Sequence, residues 1–451
     1  MRLFSLLFAA AFASFAPGHE PDDAKAGPAK VTPKAAHRPS PLPDRIVLTW
    51  SGDPATTQAV TWRTDVVINE AFAEIAVAGP DSSFKKDSRR VLAVTTPLDS
   101  DLGLAHYHSA EFANLVPDTT YVYRVGDGVN WSEWFQFTTA KDKPAPFSFI
   151  YFGDAQNDLK EHWSRVIRQA HRDAPKASFM LHAGDLINRA NSDADWGEWF
   201  GAGGWLHGTL PSIPVTGNHE YFKLQKTDKQ AFLSRHWKPQ FTLPAHGPAG
   251  LEETVYRVDY QGVRFLCLNS NERHEEQTPW LEAQLKDNPC RWTIASFHHP
   301  MHSSARGRDN LKLRQLWQPL FDKYRVDLAL TGHDHTYARS GLMESDNVPT
   351  GAAARAPGGT VYVVSVSGPK MYRLDREDFM RRAGEDVQLY QIISINGDKL
   401  EYEARTAVGV LYDGFTLTKK PGAANELVDR IPATPERRKP PEVKAAAAVV
   451  K

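Results

Sequence analysis

The hydrophobic pattern along the chain divides it into stretches of different period. Between residues 44 and about 140, apolar positions come in short strand-like runs. These are Ile46-Val-Leu-Thr-Trp50, Gln58-Ala-Val-Thr-Trp62, Tyr107 to Phe112, Tyr121 to Val125 and Trp134 to Thr138. Turn formers separate them at Ser51-Gly-Asp-Pro54, Leu115-Val-Pro-Asp118 and Gly126-Asp-Gly128. Strands at this spacing over ~100 residues predict an all-β sandwich. After a linker at Lys141 to Pro146 the pattern alternates. Phe147 to Phe152 is a continuous apolar run, Trp163, Val166, Ile167 and Ala170 follow at helical spacing, and Phe179 to Leu181 is apolar again. Such alternation predicts βαβ units and a largely parallel sheet of the α/β class, continuing to about Arg405. Thr360 to Val366, Tyr390 to Ile395 and Leu400 to Ala404 read as an antiparallel end, with Asn396-Gly397 as a hairpin turn. From about Lys419 the chain is rich in Pro, Lys, Glu and Ala, which predicts a disordered tail over 419–451.

Composition changes this picture little. A chain of 451 residues is long for one core, so two domains plus tails are expected. Lys and Arg number 53 against 54 Asp and Glu, a net charge of −1. No long-range field steers nucleic acid or an anionic membrane, so any phosphate recognition must be local. The first residues, MRLFSLLFAAAFASFAPG, place Arg2 before an apolar stretch too short to span a bilayer. Ala11-Phe12-Ala13 supplies a small-x-small cleavage site. Residues 1–16 therefore read as a signal peptide, 17–43 as a flexible linker, and the protein as secreted or periplasmic. No other stretch reaches the ~18 apolar residues of a membrane helix. Export permits a disulfide between Cys267 and Cys290, but Cys267 sits within an apolar strand pattern, and two free thiols are the plainer expectation.

The chemistry lies in five segments of one design, each a short apolar run ending in a metal-competent side chain. Phe149 to Gly153 ends at Asp154, and Phe179 to Gly184 at Asp185. Ile213 to Gly217 ends at Asn218 and His219, Thr293 to Phe297 at His298 and His299, and Leu328 to Gly332 at His333, Asp334 and His335. Ligands of open α/β sheets bind at the carboxyl ends of strands. Asp154 and Asp185 are 31 residues apart and Asp185 and Asn218 are 33, close to the ~30 residues of a βαβ unit. Successive strands thus deliver these residues to one sheet edge. Imidazole and carboxylate without thiolate suit Fe, Zn or Mn, and a carboxylate shared between ions ~4 Å apart builds a two-metal phosphoryl-transfer site.

The series GD (153–154), GD (184–185), GNHE (217–220), HHP (298–300) and GHDH (332–335) resembles that of calcineurin-like metallophosphoesterases. The run LVPDTTYVYRV followed by WFQFTT resembles a fibronectin type III domain, and with it in front the resemblance is nearest to purple acid phosphatases. It covers roughly residues 44–405. It implies domains at 44–140 and 147–405, and a dinuclear centre of two divalent or mixed-valence ions, Fe, Zn or Mn. It assigns Asp154 and His335 to the first metal, Asp185 to the bridge, and Asn218, His298 and His333 to the second. His219 would face the scissile phosphate. His299 and Asp334 are expected behind the ligands.

Two positions depart from the family. Purple acid phosphatases carry a ligand Tyr three residues after the bridging Asp, where this chain has Asn188; the wider family carries a His two residues after the first Asp, where it has Gln156. Gln156 or Asn188 could offer a neutral carbonyl oxygen to the first metal. After HHP, Arg306 and Arg308 could clamp phosphate oxygens, with His302 a further candidate; solvated loop charges are the alternative. Trp196, Trp199, Phe200 and Trp205 could stack on a leaving group or form a hydrophobic core. The implied activity is hydrolysis of a small phosphorylated substrate by a metal-bound hydroxide, as an acid phosphatase-type phosphomonoesterase. A phosphodiesterase or nucleotidase with the same site is the alternative, and a non-catalytic metal-binding protein the remote one. Substrate choice is expected in the loops 191–208 and 302–310.

Overall fold

The computed structural model describes residues 30–344, 348–349, 359–420 and 423–439. The expected signal peptide and the first part of the expected linker lie outside them. Residues 44–138 form two four-stranded antiparallel sheets. One runs Asp44–Thr49, Gln58–Thr64, Gly103–Phe112, Val94–Ser100; the other runs Arg89–Leu92, Phe72–Val77, Thr120–Gly126, Phe135–Thr138. Phe135 and Phe137 turn inward while Gln136 and Thr138 stay exposed, the period-two pattern of a half-buried strand. Trp62, Phe112, Tyr123 and Phe137 fill the space between the sheets. The linker is not loose throughout: Thr32 caps a short helix at Pro33–Ala36, and Arg63 donates to the His37 carbonyl at 3.0 Å.

Beyond residue 146, two mixed sheets pack face to face. The parallel sheet expected from the alternation is divided between them, because alternation reveals strand type and not which strands become neighbours. In the first sheet Ser212–Pro214, Met180–His182 and Phe147–Phe152 run parallel. Leu389–Asn396, Lys399–Thr406, Leu411–Thr418 and Glu426–Asp429 extend it antiparallel. In the second sheet Val263–Cys267, Trp292–Ser296, Leu328–Thr331 and Thr360–Val364 run parallel, flanked by antiparallel Tyr256–Tyr260 and Tyr337–Glu344. Strands such as FSFIYF are apolar on both faces because one face meets the opposite sheet and the other meets helices. Phe265 of the second sheet meets Phe149 and Phe179 of the first edge-on, at 5.2 Å between centroids in each case.

The segment expected as a tail from residue 419 is partly ordered. Glu426–Asp429 pairs with Leu411–Thr418, Asp429 binds Arg339 at 2.7 Å, and buried Asp327 receives Lys419 and Asn425. Composition weighs Pro and Lys; it misses single side chains that find a buried partner. Cys267 and Cys290 are free. No helix of the described residues is long and apolar enough to cross a membrane.

The aromatic segment 191–208 is not at the metal-competent strand ends. Its helix Asp193–Gly203 buries Trp196 and Trp199, and Trp199 stacks on His207 at 4.1 Å and on Trp163 at 6.1 Å. His182 stacks on Phe152 in the same cluster. The helix also seals the seam between the two domains. Arg45 of the β-sandwich makes paired bonds to the Asp193 carboxylate at 2.7 and 2.8 Å, and Arg63 adds one at 3.2 Å.

Candidate metal centre

Five strand ends converge at one edge of the sandwich. Three belong to the neighbouring parallel strands of the first sheet, and two to adjacent parallel strands of the second. The backbone bends sharply at the ends. Asp154, Asp185, His333 and His335 take φ of 34°, 52°, 73° and 48°, a region non-glycine residues rarely occupy. Such strain at four metal-competent residues marks a site whose geometry is imposed by the surrounding fold. The glycines between them permit close approach. A Cβ on Gly332 would lie 2.2 Å from Asp154 Oδ2, and one on Gly217 would lie 2.2 Å from Asp185 Oδ1.

The side chains fall into two groups. Asp154, Asp185 and His335 bring one ligand atom each within 4.8 Å of one another, and so do His298, His299 and His333. Asp185 joins the groups, with its Oδ2 3.1 Å from His298 Nε2. Asn218 belongs with the second, its Oδ1 also 3.1 Å from His298 Nε2. The remaining imidazole nitrogens are oriented from behind: His298 Nδ1 on the Ala183 carbonyl, His335 Nδ1 on that of Lys370, and His299 Nδ1 on Ser270 Oγ. Partners of this kind fix ring orientation and leave the other nitrogen for a metal.

Of the two candidates for the vacant family positions, Gln156 lies in the first group. It is fully buried, and its amide nitrogen reaches Asp185 Oδ2 at 2.9 Å and His335 Nε2 at 3.0 Å. Asn188 is half-buried and contributes its backbone carbonyl, which holds His219 Nδ1 at 2.5 Å. Arg308 reaches Asp334 Oδ1 at 3.1 Å, contacts His333 and lies 5.0 Å above the Tyr372 ring. Arg306 is exposed two residues earlier. His302 is buried against Tyr362 and Phe379, in the core behind the second sheet.

Two supporting carboxylates carry more than the sequence reading gave them. Glu220, the last letter of GNHE, is buried and accepts the backbone N–H groups of Asp185 at 2.9 Å, Leu186 at 2.8 Å and Gly217 at 2.6 Å. It ties two ligand turns together; burial and the Asp185 charge push it up to about 7. Asp334 accepts Ser303 Oγ and Ser304 N at 2.6 and 2.7 Å, fastening loop 302–310 to the GHDH turn. The signal for Glu220 was its place one residue after His219, but its clamp joins residues 35 apart in the chain.

The electrostatics suit cations. Burial, and behind it the Asp185 charge, pushes Asp154 well above the usual carboxylate range against the pull of His298. Burial opposes the opposite shift at Asp185, but the His298 charge and hydrogen bond hold it low. Burial lowers His335 to about 4 and, with the His298 charge, lowers His333. These imidazoles stay neutral, the form that binds metal. Asp154 Oδ1 and Gln156 Oε1 are buried without a hydrogen-bond partner. Among the described residues no Lys or Arg pairs with Asp154 or Asp185; their ion-pair partners are His335 and His298. Against burial, which would lower it, the Asp185 charge raises His298 to about 9, so that ring would give up a proton to bind metal. Orphaned acceptors, the neutral His333 and His335, and two carboxylates in one buried cluster fit a pair of metal ions.

Comparison with known proteins agrees with this geometry. Residues 43–139 match the model of the purple acid phosphatase N-terminal domain, and residues 147–337 match that of calcineurin-like phosphoesterases. An uncharacterized protein of Mycobacterium tuberculosis is 27% identical over 332 residues, 63% of this chain and 60% of its own length. The chain thus spans less than two thirds of that relative. Acid phosphatase type 7 of Mus musculus is 28% identical over 370 residues, covering 74% of this chain and 79% of that protein. The purple acid phosphatase PPD1 from yellow lupin shares the fold, with a TM-score of 0.72 at 20% identity over 84% of this chain and 75% of that one. Residues 147–337 thus form a calcineurin-like phosphoesterase domain, with the purple acid phosphatase type of N-terminal domain in front of it.

Proposed function

We propose that this protein hydrolyses phosphate monoesters at a dinuclear metal centre, and that it does so after export. The observation that carries the reading is the place of Asp185. Its carboxylate touches the Asp154–His335 group on one side and His298 of the second group on the other. Asp154, His335 and Gln156 would hold the first ion, Asn218, His298 and His333 the second, and Asp185 both. Bound there, the ions would supply Lewis acidity and a water acidic enough to attack phosphorus near neutral pH.

The chain's own groups do the rest. His219 donates its backbone N–H to Asp185 Oδ1 at 2.8 Å, which fixes the residue beside the bridge. Its Nδ1 is engaged by the Asn188 carbonyl, so Nε2 is the nitrogen left to hand a proton to a leaving oxygen. Arg308, held by Asp334, would bind nonbridging phosphoryl oxygens. An amide at position 156 compensates charge less than a phenolate or carboxylate would, which favours two divalent ions over a ferric one.

The test is turnover of an aryl phosphate and an aryl phosphodiester with each metal, for wild type and His219→Ala. The monoester should be the better substrate, and His219→Ala should lower its turnover ~10²–10⁴-fold with metal content unchanged. A faster diester would move the reading to a phosphodiesterase. Loss of metal in parallel with rate would make His219 a ligand.

A further inference from the structure

The metal-competent cluster opens onto a cavity of about 840 Å³ that the mechanism above does not use. Asn218 and His299 line it from the side of the cluster. Its walls come from Ser270, Asn271, Glu272 and His274, from the region of Asn310 to Leu313, and from the hairpin that follows GNHE. This hairpin is pinned at its base by the pairs Tyr221–Leu233 and Phe222–Phe232, and by a Phe222–Phe232 ring contact of 5.9 Å. Its tip is turned by Asp228, which accepts the Gln225 backbone N–H at 2.8 Å.

Charge in this cavity is mostly positive, three lysines against the one carboxylate of Glu272. Lys223 and Lys229 line it from the hairpin, are exposed, and make no ion pair among the described residues. Lys312 lines the opposite wall and is matched by Glu275 at 2.6 Å. The lining carboxylate, Glu272, is engaged by the Tyr221 hydroxyl at 2.6 Å. Asp228 is occupied in its turn. Two unmatched ammonium groups thus face a volume large enough for a small organic molecule, on a chain whose net charge of −1 supplies no general attraction for anions. They line the same cavity as Asn218 and His299, the two residues it shares with the metal-competent cluster.

We propose that the preferred substrates carry a second anionic group beyond the scissile phosphate, a further phosphate or a carboxylate, and that Lys223 and Lys229 bind it. The proposal rests on the metal-centre reading, because it places the scissile phosphate at the metals. It moves substrate choice from segment 191–208, whose Trp196, Trp199 and Phe200 are buried, to the hairpin 221–233. Lysine suits this task as a mobile point charge that tolerates several anion geometries.

The experiment compares alkyl monophosphates with alkanediol bisphosphates of the same chain lengths, in wild type, the double variant Lys223→Ala/Lys229→Ala, and Lys226→Ala. Lys226 lies on the same hairpin outside the cavity lining. Wild type should turn over at least one bisphosphate with kcat/KM tenfold or more above its matched monophosphate. The gain should appear in KM and shrink as salt rises. The double variant should lose that preference, and Lys226→Ala should keep it. Equal kcat/KM for every matched pair, or a preference that survives in the double variant, overturns the proposal while leaving monoester hydrolysis at the metals intact. Failure to hydrolyse any ester overturns the metal-centre reading itself. Calorimetric titration with the bisphosphates then decides the lysine site separately, since binding that the double variant does not weaken at least tenfold would sink it.

Discussion

Two buried carboxylate clusters lie on either side of this molecule's aromatic core, and the protein treats them oppositely. At the domain seam Asp193 is ringed by Arg45, Arg63 and, at 3.5 Å, His236. Burial alone would raise Asp193, but these partners hold it below the usual carboxylate range. Charge is balanced there by the chain, in paired guanidinium geometry. At the strand ends Asp154 and Asp185 share one cluster with imidazoles and, among the described residues, no guanidinium against either carboxylate. The first arrangement needs nothing more to be satisfied. The second leaves Asp154 Oδ1 without a hydrogen-bond partner, a place for a cation, and its four left-handed backbone turns are held by the fold against their own preference. The difference separates a structural ion cluster from a functional one without reference to sequence motifs.

Exchanging the roles of the clusters gives the sharpest predictions. Asp185→Ala should abolish phosphoester turnover and empty both metal positions, with the fold retained in circular dichroism. Asp193→Ala should keep the metals and lose stability by about 3–5 kcal/mol, because two buried guanidinium groups lose their anion. Metal analysis and denaturant melts of both variants check the pair. If Asp193→Ala emptied the metal site at full stability, the division between the clusters would fail.

Acid probes the aromatic core between the clusters. Burial holds His182 at about 3 and His207 at about 4, below the ~6.5 of an unfolded histidine. The unfolded chain therefore takes up protons first as pH falls. Their contribution is full above pH 6.5 and is lost progressively down to pH 4 and then 3, by roughly 1.4 kcal/mol per histidine per pH unit. Urea melts from pH 7 to 4 should show the decline, and His207→Gln should flatten it.

The smallest effect concerns the strain at the metal cluster. With metal chelated, Asp154→Asn should stabilise the protein by about 1 kcal/mol, since an amide does not have to be protonated in order to be buried. The same variant should be less stable than wild type when metal is supplied. A loss of stability under both conditions would mean that the Asp154 carboxylate is already satisfied by the chain.

What the sequence made legible was local. Each metal-competent residue follows its own short apolar run, so the set from Asp154 to His335 could be gathered from strand ends, while its division into expected ligands and their neighbours came from the family resemblance. The β-sandwich followed from turn spacing in the same way. The pairing of strands into two sheets was hidden, because FSFIYF and VRFLC read alike whichever neighbour they take. Glu220 was hidden because its partners are backbone N–H groups, which carry no signature. Arg45 and Arg63 look like ordinary strand arginines until Asp193, 130 residues or more away, arrives between them. The helix at 193–203 offered its tryptophans equally to a ligand or to a core, and only the packing of Trp199 on His207 and Trp163 decides for the core.

The most direct measurement is elemental analysis of the purified protein, after chelation and after reconstitution with Zn, Mn or Fe, with aryl phosphate turnover measured on the same samples. The two-metal account predicts about two ions per chain on reconstitution, turnover that vanishes on chelation and returns with the ions, and neither in Asp185→Ala. Turnover that persists in fully chelated protein, or a reconstituted chain that binds no metal, would contradict it.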